Sequence, residues 1–167
     1  MLTAIILCET TAFALARTFA PLVPGVIEGI LSDVIVVVRP NDQEGVTIAR
    51  AAGAEIVEAT DWPAGFGKAR SAARTKTLLV IDGGVIIGES FWAVVADHFR
   101  AGIPNGVLAT QPGNGGFGKT LANRVFGKVS RDQALILPGS LADGDPWKQR
   151  WGKQLTVLPT GSVRLKG

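Results

Sequence analysis

Leu78-Leu79-Val80-Ile81-Asp82-Gly83-Gly84 sets a lone carboxylate at the end of four consecutive large apolar residues. Such a run reads as a strand covered on both faces, and the two glycines after it let the backbone turn sharply and come close to a ligand. In open α/β sheets ligands sit just beyond the carboxyl ends of the strands. Asp82 is therefore the first candidate for chemistry in the chain.

Strand and helix signals alternate on both sides of this segment. Thr3 to Leu7 reads as a strand, Thr11 to Leu22 as mostly helix, Glu28 to Leu31 as a turn of helix, and Val34 to Val38 as a β-branched strand. Gly45 to Ala52 reads as a helix closed by Gly53, and Glu55 to Val57 as a short strand. A polar loop through Trp62 and Pro63 then leads to a helix over Lys68 to Ala73. After Asp82, Phe91 to Arg100 is an amphipathic helix between Ser90 and Gly102, and Val107 to Thr110 a strand. A Gly-rich loop precedes a helix over Thr120 to Phe126, and Gln133 to Leu137 and Leu155 to Leu158 close the chain as strands. This order implies a mainly parallel sheet sandwiched between helices.

The chain has 167 residues, the size of one domain with a substantial core, and its 47% hydrophobic and 19% charged residues are ordinary globular usage. Mean hydropathy is +0.29. Glu9, Arg17, Glu28 and Asp33 nevertheless interrupt the N-terminal third, so no stretch approaches the roughly 20 apolar residues of a membrane span. Met1 to Cys8 lacks a basic segment before its apolar run and reads as a first strand rather than a signal peptide, which implies a cytoplasmic location. Cys8 stands alone and His98 is the only histidine, which excludes an internal disulfide and any site built from several cysteines or histidines. Cys8 reads as a small buried hydrophobe and His98 as a structural residue of its helix.

Charge is uneven. Residues 1 to 99 carry seven Lys/Arg against eleven Asp/Glu, whereas residues 100 to 167 carry ten against three. The C-terminal part thus offers a basic surface, including Lys119, Arg124, Lys128, Lys148, Arg150 and Lys153, suited to a protein partner or to an anionic membrane surface such as the inner membrane. Nucleic acid is disfavoured because the chain has no Tyr and no aromatic set interleaved with the basic residues. Gly113-Asn114-Gly115-Gly116-Phe117-Gly118-Lys119-Thr120 fits the phosphate-cradling P-loop pattern. Only 47 residues follow it, and the apolar run Ala134 to Leu137 ends at Pro138 with no carboxylate for magnesium. P-loop nucleotide binding through Gly113–Thr120 is the second alternative for function.

Laid in order, these segments resemble a small bacterial family 2 glycosyltransferase. Ala4-Ile5-Ile6-Leu7, Glu9 and the helix Ala14 to Phe19 are similar to the family's opening strand and helix. Asp33 to Val37 with Ile48 to Ala54 resembles the second pair, and Gly65 to Ala73 the Gly-rich segment before the central strand. Leu78 to Asp82 falls at the Asp-X-Asp strand, and Val125-Phe126-Gly127 with Arg131-Asp132-Gln133-Ala134-Leu135 resembles the late Gly-Asp-Gln segment. The resemblance implies a GT-A fold, a Rossmann-like three-layer α/β/α sandwich, in one domain over residues 1 to 167. It implies a nucleotide-sugar donor held by Glu9, Asp42, Lys68, Asp82 and Arg131, with Asp82 and Asp132 as the catalytic candidates.

The departures from the pattern fall on chemistry. Val38 and Gln43 stand where carboxylates recognise the base, Gly84 stands where the second Asp-X-Asp carboxylate holds a divalent metal, and Asp143 and Asp145 are poor substitutes for the Glu-Asp pair that supplies the base. Loss of one acid–base or electrostatic contributor commonly costs about 10²–10⁴-fold in rate. The leading expectation is therefore a degenerate GT-A domain, without a metal site, whose sugar transfer is lost or much reduced and which serves as a binding or assembly subunit. The first alternative is an active glycosyltransferase, metal-independent or atypical, using a nucleotide-sugar donor.

Overall fold

The computed structural model describes residues 1–102, 106–112, 129–142, 144–151 and 154–164. Among these, eight strands form one sheet: β1 (Leu2–Leu7), β2 (Leu31–Val38), β3 (Glu55–Glu58), β4 (Thr77–Asp82), β5 (Val85–Ile87), β6 (Val107–Pro112), β7 (Leu135–Pro138) and β8 (Leu155–Arg164). Their spatial order is β3-β2-β1-β4-β7-β6-β8-β5. The β3-β2-β1-β4 half is parallel, as is β6 with β8, while β7 runs antiparallel to both β4 and β6, and β5 to β8.

β1 is central and every residue of it is buried. Its side chains alternate between two cores, as a two-residue period requires. Ala4 and Ile6 meet Val36, Leu79 and Ile81 on one face, under α1 (Ala12–Phe19), α3 (Gln43–Ala51) and α5 (Phe91–Arg100). Ile5 and Leu7 meet Ile35, Val37, Leu78 and Val80 on the other, under α4 (Trp62–Ala72) and the segment carrying Trp147 and Trp151. This is the expected α/β/α sandwich.

Local departures from the sequence expectation have identifiable causes. The chain over Trp62 and Pro63 is the first turn of α4, not a loop: Asp61 accepts the Ala64 N–H at 2.9 Å as N-cap, and proline is tolerated in a first turn because its missing N–H is not needed there. Gly65 lets α4 lie directly on β2, since a Cβ there would stand 2.4 Å from Val37 Cγ1. Glu28 to Leu31 is not helical. α2 (Val23–Ile27) ends before it, and Leu31 already pairs with Leu2 in the sheet. β5 has three residues, too few for an alternating pattern to register, and Gln133 lies outside β7. The expected helix over Thr120 to Phe126 lies outside the described residues. No helix among the described residues is long and apolar enough to cross a membrane.

Candidate functional site

Parallel register brings three strand ends to one level. Leu7 is opposite Val37 on one side and Asp82 on the other, so the residues just beyond, Glu9, Arg39 and Gly83, share one edge of the sheet. Hydrogen bonds from Cys8 N to Val37 O (2.9 Å) and Gly83 N to Leu7 O (2.7 Å) hold the three loops together. Beside them opens a pocket of about 290 Å³ lined by Glu9, Val38, Arg39, Trp62, Arg131, Asp145 and Lys148, with Ala59 to Asp61 and Pro63 completing the wall.

Arg131 is the centre of this pocket. Its guanidinium donates to Glu9 Oε2 at 2.8 Å, lies 3.8 Å from Asp82 Oδ2 and 3.9 Å from Asp145 Oδ2, and sits 5.8 Å from the centre of the Trp147 ring. Asp82 is completely buried, and Arg131 is 32% exposed. The backbone around Arg131 is clamped from below. Gln133, itself buried, donates its amide to Thr110 O and accepts the Ser130 N–H at 2.9 Å, while Ser162 Oγ donates to Asp132 O at 2.6 Å.

Glu9 takes a second arginine, Arg39, at 2.7 Å. Its partial burial pushes the carboxyl upward, but the Trp62 indole N–H beside it, Arg39 and Arg131 outweigh this and hold it below the ordinary carboxylate range. The Trp62 N–H is buried and completes no hydrogen bond, as is that of Trp147.

The sequence-based candidates divide accordingly. Glu9, Asp82 and Arg131 come together. Asp132 lies next to Arg131 in the chain, with its carboxylate hydrogen-bonded to Ser130 Oγ. Asp42 does not line the pocket; it caps α3 by accepting the Gly45 N–H at 2.8 Å. Lys68 is exposed on α4, and its ammonium donates to Glu58 O at 3.3 Å on the β3 edge. Arg39, Trp62 and Asp145 are pocket residues that the sequence reading passes over or sets aside. The signal that could find them is their place just after a strand end, at a helix start, and beside Trp147. Gly113–Thr120, Lys119, Arg124, Lys128, Asp143 and Lys153 lie outside the described residues. Trp92, Trp147 and Trp151 are buried and Trp62 is half-buried.

Position 84 carries no carboxylate and holds an unusual backbone conformation. Gly84 has φ +89°, a conformation L side chains rarely adopt, and its N–H donates to the buried Thr18 Oγ1 at 2.8 Å. A hard divalent cation wants about six oxygen ligands. Among the described residues the Asp82 carboxylate faces a guanidinium, and no group of three His, Cys, Asp or Glu side chains able to hold a metal is present.

Cys8 lies under the same edge, its thiol 3.6 Å from Asp42 Oδ2. Burial, partly offset by a backbone hydrogen bond at Thr10 and reinforced by the nearby carboxylates of Asp42 and Asp82, raises it from the ordinary 9.0 to about 11. The native protein is therefore expected to resist iodoacetamide at pH 8 and to react once unfolded. Because the unfolded thiol ionises first, this contribution to stability is complete below pH 9 and is lost as pH rises through about 11. Mass spectrometry of labelled protein and urea midpoints across that range check both; rapid native labelling at pH 8 would refute the burial argument.

No protein-family model and no curated protein matches the chain. Solved structures do match. Glucosyl-3-phosphoglycerate synthase from Mycobacterium tuberculosis in complex with Mn²⁺, UDP and glucosyl-3-phosphoglycerate superposes with TM-score 0.72 at 12% identity, over 100% of this chain and 72% of that one. The same enzyme with Mn²⁺, UDP and phosphoglyceric acid gives 0.64 at 12% identity, over 84% and 56%. A mycobacterial protein gives 0.70 at 13% identity, over 100% and 67%. The chain thus spans 72% of that synthase in the first of these superpositions and 56% in the second. The parallel β3-β2-β1-β4 half, the antiparallel β7 and these superpositions together establish a GT-A-like fold.

Proposed function

We propose that this chain is a GT-A-like domain that binds a nucleotide-sugar, or its nucleotide part, in the Glu9–Trp62–Arg131 pocket, with sugar transfer lost or much reduced. The observation that carries this reading is the pairing of buried Asp82 with Arg131 at the strand tip, next to an accessible polar pocket. The pocket supplies an ionised acceptor in Glu9, a half-buried indole in Trp62, and cations in Arg39, Arg131 and Lys148, which suit a hydroxylated, anionic ligand. The acceptor-activating base that transfer needs has weak candidates. The Asp132 carboxylate is bound to Ser130, and that of Asp145 accepts the backbone N–H of Trp147 at 3.1 Å and lies 3.6 Å from Lys148. A binding or assembly role would draw on exposed Lys148 and Arg150.

A metal-independent transferase is the second reading. It is favoured by those same three cations, which can meet the charge of a leaving diphosphate.

Titration of the protein with UDP, GDP and their glucose esters, followed by tryptophan fluorescence, tests both. A saturable change that is lost in Trp62→Phe, with no release of UDP from UDP-glucose, is the expected result. Multiple turnovers of UDP release would favour the second reading. Absence of saturable binding with every ligand would end both.

A further inference from the structure

If the pocket takes a nucleoside diphosphate as proposed above, we infer that Arg131 is its resident cation, a guanidinium built into the chain that neutralises Asp82 and Glu9 and receives the diphosphate without a divalent metal. Four observations carry this. Glu9, Asp82 and Asp145 surround Arg131 at 2.8, 3.8 and 3.9 Å, so the carboxylates of this edge are already balanced by one side chain. A second cation brought beside Asp82 would meet the guanidinium at close range and be repelled.

Among the described residues its guanidinium completes one hydrogen bond, to Glu9, which leaves N–H donors of the planar fork able to take phosphate oxygens in pairs. The buried indole N–H of Trp62, on the pocket wall beside Glu9, adds a further donor. Finally, the Arg131–Asp132 turn is held by Gln133, Thr110, Ser130 and Ser162, three of them buried and all tied by hydrogen bonds. Such a clamp fixes where the backbone of the arginine starts, so little ordering remains when an anion arrives.

The test uses UDP as probe. Calorimetric titration of the parent protein in EDTA and again in MnCl₂ should give the same affinity within about twofold, well below the 10- to 100-fold effect of losing a charged hydrogen bond. Arg131→Lys keeps the charge but not the paired geometry, and should weaken UDP about 10-fold. In Arg131→Gln the carboxylates lose their cation, so electron paramagnetic resonance should detect bound Mn²⁺ that the parent does not bind. Should Arg131→Gln fail to fold by circular dichroism, the parent and Arg131→Lys titrations decide alone. Affinity in the parent that rises with Mn²⁺, or that is unchanged in Arg131→Lys, overturns the inference while leaving nucleotide binding intact. No UDP binding in the parent under either condition refutes the underlying proposal and the inference with it.

Discussion

Arg131→Met is expected to lower stability by about 3 kcal/mol, the lower end of the range for removing one partner of a buried ion pair, because Asp82 is fully buried but Arg131 is one-third exposed. For a chain of this size that corresponds to a fall in Tm of roughly 6–12 °C. Methionine keeps the apolar stem but ends short of the guanidinium carbon that lies 5.8 Å from the centre of the Trp147 ring, so the loss combines the charge with that contact. The cycle with Asp82→Asn separates the terms. If the two side chains interact directly, the double variant should be more stable than the sum of the single losses predicts, by about 0.5–3 kcal/mol. Additive losses in thermal or urea unfolding would show that Arg131 acts through Glu9 or Asp145 instead. The surface pair Arg39–Glu9, whose arginine is mostly exposed, should contribute little by comparison.

Phe66→Ala is expected to cost about 3–5 kcal/mol, because the ring is buried in the core under α4 and its removal leaves a cavity that the surrounding sheet cannot close. Its neighbours there, Ile5, Leu7, Val37 and Val80, sit on strands whose positions are set by the ladder. The effect should reach the pocket, since α4 carries both Phe66 and the wall residues Trp62 and Pro63. Phe66→Leu keeps most of the volume and should lose under about 1.5 kcal/mol. Equal losses for the two variants would mean that ring shape, and not filled volume, governs this contact. The ratio of UDP affinities in Phe66→Leu and the parent then shows whether the wall has moved.

Most of the sheet is legible in the residues. β1, β2 and β4 announce themselves as runs of buried apolar side chains, and α5 is bounded as its pattern indicates. What fails to register is short or long-range. β5 offers three residues, and the start of α4 at Trp62 depends on a capping aspartate preceding a tryptophan and a proline, which by composition read as a loop. Of the pocket, Glu9, Asp82 and Arg131 are identifiable from the family resemblance. Arg39 and Asp145 are not, because their importance lies in which strand end or loop they face across the sheet edge.

By itself the sequence determines the α/β alternation, the strand tip at Asp82 and the absence of a carboxylate at position 84, since each depends on local pattern or residue identity. Tertiary structure alone decides that Arg131, 49 positions later in the chain, lies over that tip among three carboxylates. Hydrophobic periodicity specifies which face of an element is buried, but carries no information about which distant charges the packed elements bring together. That juxtaposition follows from strand order and register, and it is what makes the strand tip at Asp82 part of a pocket organised around a guanidinium.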